Sequence, residues 1–68
     1  MADYATKSGQ QVGWCYSQAG TPCAVIYDLD DPGGAMVVPH DNWWTALRFA
    51  LNFARYNGAE FIGGPAHE

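Results

Sequence analysis

SQAGTPCAVIYDLDDPGGAMVVP, the run from Ser17 to Pro39, holds two turn signals separated by β-forming residues and predicts two β-hairpins in succession. Gln18-Ala19-Gly20 suits a three-residue loop, a type I turn closed by a glycine in the left-handed region. Asp31-Pro32-Gly33-Gly34 repeats the chemistry, with proline presetting φ and a glycine accepting positive φ. These turns place strands at Gln11–Ser17, Thr21–Asp30 and Ala35–Pro39. They also pair Ser17 with Thr21 and Asp31 with Ala35.

Downstream, His40-Asp41 precedes a helical pattern from Asn42 to about Tyr56. Asp41 is the expected N-cap, and Asn57-Gly58 the expected left-handed stop. Glu60–Gly63 offers a short last strand. The predicted fold class is therefore α+β: a three-stranded antiparallel meander on one α-helix, with a possible fourth strand in the order β-β-β-α-β. Residues 1–10 read as a flexible arm, 11–64 as one domain and 65–68 as a tail.

Strand alternation leaves apolar residues on both faces of this sheet, and a single helix covers only one. One face carries Cys15, Cys23, Val25, Tyr27, Leu29, Ala35 and Val37, with Gly13 to admit a helix, and is the expected core. The other carries Val12, Trp14, Tyr16, Ile26, Asp28, Asp30, Met36 and Val38, whose carboxylates argue against burial. On the helix, Trp43, Ala46, Leu47, Ala50, Leu51, Phe53 and Ala54 share a side, leaving Trp44 at its boundary as an interface anchor. The expected partner-binding residues are thus Trp14, Tyr16, Ile26, Met36, Val38 and Trp44, with Asp28, Asp30 and Asp31 at the hairpin tip.

Charge narrows the partner. Seven acids against three bases give a net charge of -4, and charged residues make up only 15% of the chain. Nucleic-acid binders bring a basic footprint that this chain lacks, whereas an acidic surface suits a basic protein partner. Low charge also favours self-association. No secretory signal pattern and no apolar run near the ~18 residues of a membrane span occur, so the expected compartment is the cytoplasm.

Chemical motifs are weak. In the first hairpin Cys15 faces Cys23, a geometry in which a disulfide is conceivable. Pro22 belongs at a non-hydrogen-bonded site, which makes the adjacent cysteine pair hydrogen-bonded and less suited to a bridge; two small thiols beneath the helix is the simpler expectation. A zinc site would need Cys15, Cys23, His40 and His67, which lack closely spaced ligand pairs. Cysteine with His40 has no orienting third group for nucleophilic catalysis. Asp28-Leu29-Asp30-Asp31-Pro32-Gly33 resembles the start of a calcium loop but fails at Pro32 and at Pro39. Arg48, Asn52 and Arg55 form a solvated stripe, and the glycine pairs match no phosphate loop. The expectation is no enzyme, no cofactor and no metal.

A short acidic domain with an Asp28-Leu29-Asp30-Asp31 tip and no catalytic constellation resembles the small inhibitors encoded by phages and mobile elements, anti-CRISPR proteins among them. That resemblance is one of class, with no shared motif. It implies a protein that blocks a host nucleic-acid-binding complex by occupying its basic surface. The competing expectation is a homodimeric structural or assembly subunit.

Overall fold

A computed structural model describes residues 3–63. It contains β1 (Asp3–Thr6), β2 (Gln10–Tyr16), β3 (Pro22–Asp28), β4 (Asp31–Pro39), α1 (Trp43–Tyr56) and β5 (Phe61–Gly63). The α+β class is as expected. The sheet is larger than expected: five antiparallel strands in the order β4-β3-β2-β1-β5. The helix therefore runs from one edge strand to the opposite edge, crossing β3 and β2, the strands it contacts.

The expected arm at residues 1–10 is instead mostly structure. β1 pairs with β2 through Tyr4↔Val12 and with β5 through Ala5↔Gly63. Thr6 is buried, and its Oγ1 accepts from the Gln10 amide at 2.9 Å, closing the turn into β2. Gly9, at φ 95°, supplies the left-handed residue of that turn. The expected tail at 65–68 lies outside the described residues.

The first hairpin matches its turn chemistry. Ser17 and Thr21 pair, the Gly20 amide donates to the Ser17 carbonyl at 2.9 Å, and Gly20 has φ 84°. The second hairpin does not. Asp28 pairs directly with Asp31 across a Leu29-Asp30 turn, and regular pairing resumes only at Ile26↔Met36. Residues 32–35 are thus extra length on β4 opposite Tyr27, and neither Gly33 nor Gly34 uses positive φ. An irregular, proline-bearing segment is tolerated because β4 is an edge strand.

The helix starts one residue later than expected. Its N-cap is Asn42, not Asp41: Asn42 Oδ1 accepts from the Thr45 amide at 2.9 Å. Its end is as expected. Gly58, at φ 85°, donates to Arg55 O at 3.0 Å while Ala59 donates to Ala54 O at 2.9 Å, the paired bonds of a Schellman stop.

The largest correction concerns the faces. Val12, Ala24 and Ile26 form the core with Ala46, Ala50 and Ala54 of α1, and Trp14, Met36, Val38, Phe49, Leu51 and Phe61 pack around them. The helix therefore covers the face expected to be free. Its alanines bring its backbone close to the sheet, and the larger sheet residues fill the gap. The opposite face, carrying Cys15, Cys23, Val25, Tyr27 and Val37, has no element over it among the described residues.

Candidate functional site

The expected partner-binding residues separate into three groups. Ile26 is 7% exposed and belongs to the core. Trp14, Met36 and Val38 are half-buried against that core, so the proposed docking face of Trp14, Ile26, Met36 and Val38 does not exist as a free surface. Tyr16, Trp44, Asp28, Asp30 and Asp31 are exposed.

Two of the exposed residues, Tyr16 and Trp44, are linked through Trp14 and Trp43 at the first-hairpin end of the sheet. Tyr16 leaves β2 edge-on to Trp14, with ring centroids 4.9 Å apart and planes at 86°. Trp14 stacks on Trp43 at 5.6 Å and 28°, and Trp43 meets Trp44 edge-on at 5.4 Å and 81°. Alternating edge and face contacts suit the aromatic quadrupole and hold the rings in fixed relative orientations. Tyr16, Trp43 and Trp44 remain 60%, 44% and 54% exposed. Residues Trp43 and Trp44 sit in the first helical turn, fixed by the Asn42 cap.

Trp43 was expected in the core, and its place in this cluster is what sequence reasoning missed. The available signal was its position at the first residue of the helix, where a rod lying on a sheet has no preceding turn to close its end. Along the outer helix flank, Phe49 stacks on Phe53 at 5.9 Å and also meets the His40 ring at 5.1 Å. The His40 Nε2 atom is buried without a hydrogen-bond partner.

Asp28, Asp30 and Asp31 lie in and beside the β3–β4 turn, at the opposite end of the sheet from Tyr16. Seven residues of β3 separate the two ends, about 20 Å at ~3.3 Å per residue. The aromatic cluster and the acidic tip are therefore two features, not one patch.

The third feature is the uncovered sheet face. Val37 is 56% exposed there, while Val25 and Tyr27 are half-buried. Cys15 and Cys23 face each other on it as free thiols, with Cys15 half-buried and Cys23 buried. Cys23 Sγ donates to Thr21 O at 3.4 Å. They lie on the face away from the helix, contrary to the expectation that they sit beneath it.

Among the described residues no three His, Cys, Asp or Glu side chains gather as a metal-ligand group; His67 of the candidate zinc set lies outside them. No described helix is long and apolar enough to cross a membrane. No family model matches the sequence, and neither a curated protein nor a solved structure matches it.

Proposed function

We propose that this chain is a non-enzymatic protein-binding domain of the cytoplasm whose anchor is the aromatic cluster Tyr16, Trp14, Trp43 and Trp44. The observation that carries the proposal is the contiguity of those rings. Three of them are about half exposed or more, yet each is held by a neighbouring ring. Preordered tryptophan and tyrosine surface is the composition of interface hot spots, because it buries much area with little loss of side-chain freedom.

The net charge of -4 and the exposed Asp28, Asp30 and Asp31 support a basic partner. At about 20 Å from the rings, the acidic tip contributes to encounter and orientation while the rings supply the residence time. An inhibitor of a host nucleic-acid-binding complex, as in the phage and mobile-element class, is the specific form of this proposal. The test is affinity capture from the native host with the whole chain. A partner retained by wild type and by a Phe53→Ala/Tyr56→Ala control, but lost from Trp43→Ala/Trp44→Ala, is the expected result. Equal retention by both double variants refutes the anchor.

The alternative is a homodimer, favoured by Val37 standing exposed beside Val25 and Tyr27 on an uncovered sheet face. Light scattering at low micromolar concentration distinguishes it. A dimer that Val37→Asp dissociates establishes this second reading, and a monomer removes it.

A further inference from the structure

We propose that Cys15 and Cys23 form a reversible dithiol site, which a low-molecular-weight disulfide such as oxidised glutathione converts to a cross-strand disulfide. Three observations support it. The residues are direct partners in the β2–β3 ladder, so both side chains leave the sheet on the same side. That side is the one the helix leaves uncovered, and Cys15 is half-buried where Cys23 is buried. Finally, both thiols are free.

The ladder also fixes the spacing. The His40 amide donates to Pro22 O at 2.8 Å, so the polar groups of Pro22 face β4 and those of Cys23 face β2. Cys15 and Cys23 are then a hydrogen-bonded pair, with Cα atoms about 5.5 Å apart. This falls inside the roughly 4.4–6.8 Å window for a disulfide, so closure needs no change of register. Hydrogen-bonded positions are the wider of the two ladder sites. Together with the partial exposure of Cys15, that favours a bridge that small thiols reopen by attack at the Cys15 sulfur.

Exposure sets the order of steps. The Cys15 thiolate attacks one sulfur of oxidised glutathione, forming a mixed disulfide and releasing one glutathione thiolate. Cys23 loses its proton to solvent, and its sulfur attacks that of Cys15, expelling the second glutathione. The protein dithiol gives up two electrons and two protons overall, and one oxidised glutathione becomes two reduced molecules. Attack in the second step is intramolecular between neighbouring strands, so closed disulfide should exceed mixed disulfide wherever free reduced glutathione is below the effective concentration of the Cys23 thiol.

The test incubates the whole chain in mixtures of reduced and oxidised glutathione, followed by acid quench, alkylation and intact mass measurement. The expected product carries neither alkyl groups nor glutathione and returns to the dialkylated form when reduced glutathione is raised. Cys23→Ser should instead accumulate a single glutathione adduct at Cys15, and Cys15→Ser should react more slowly, its remaining thiol being buried. A wild-type protein that stays dialkylated, stops at the glutathione adduct or links two chains overturns the proposal. Since these outcomes are read on wild type, they stand even if a serine variant folds poorly.

Discussion

Ile26→Ala tests which side of the sheet lies under the helix. Ile26 is 7% exposed and contacts a core otherwise built from Val12, Ala24, Ala46, Ala50 and Ala54. Truncation removes three methyl or methylene groups, about 2.4 kcal/mol at ~0.8 kcal/mol each. Val12, Ala24 and the helix alanines are too short to swing into the space, and Met36, the cross-strand partner on β4, fills only part of it. The cavity term therefore stays, and the total rises to about 3–4 kcal/mol. A 68-residue domain has roughly 3–10 kcal/mol in all, so this one change removes a large share. Urea unfolding followed by far-ultraviolet circular dichroism should show a midpoint lower by about 3 M, taking m near 1 kcal/mol/M. Val25→Ala, one residue earlier on the opposite face and half-buried, should cost about 1 kcal/mol or less. If Val25→Ala proves the more damaging of the two, the helix covers the other face and the core assignment is wrong.

Four further substitutions probe the joints of the fold by the same unfolding assay. Asn42→Ala removes the acceptor of the Thr45 amide and should lower stability by about 1 kcal/mol, while Asp41→Ala should cost less. Gly58→Ala forces a side chain into φ 85° at the helix stop and should cost about 1 kcal/mol, although open space surrounds the new methyl. Thr6→Val keeps the shape of a buried side chain but deprives the Gln10 amide of its partner. A loss of about 1–3 kcal/mol is expected, with early hydrogen exchange at Gln10; protection equal to wild type would mean that amide finds another acceptor.

Local chemistry is legible in the sequence at the first hairpin and at the helix end, but not at the helix start, where Asn42 rather than Asp41 is the cap. Gln18-Ala19-Gly20 closes the first hairpin with the predicted register, and Asn57-Gly58 ends the helix as predicted. Long-range choices were less legible. Both sheet faces carry apolar residues, so alternation alone does not tell which one the helix takes. The deciding signal was size: a helix stripe of Ala46, Ala50 and Ala54 requires bulky partners, and Trp14, Ile26, Met36 and Val38 are bulkier than Gly13, Cys15 and Cys23. Asp28 and Asp30 misled because they lie at an exposed strand end, so their presence on a face did not forbid its burial elsewhere. In the second hairpin, Asp31-Pro32-Gly33-Gly34 has strong turn composition, yet the Asp28–Asp31 pairing turns the chain earlier. β1 was hidden because Tyr4 finds its packing partner in Phe61, at a ring distance of 6.2 Å but at the far end of the chain.

That last pairing has a consequence for synthesis in the cell. Among the described strands β1 is synthesised first, whereas its neighbour β5 is made after the helix. Until Phe61–Gly63 emerges, β1 is a bare rim with open amides, able to capture a stray strand from another nascent chain. Completion of the sheet accordingly waits on this last strand, and slowing elongation through the helix codons would lengthen the exposed interval rather than assist folding.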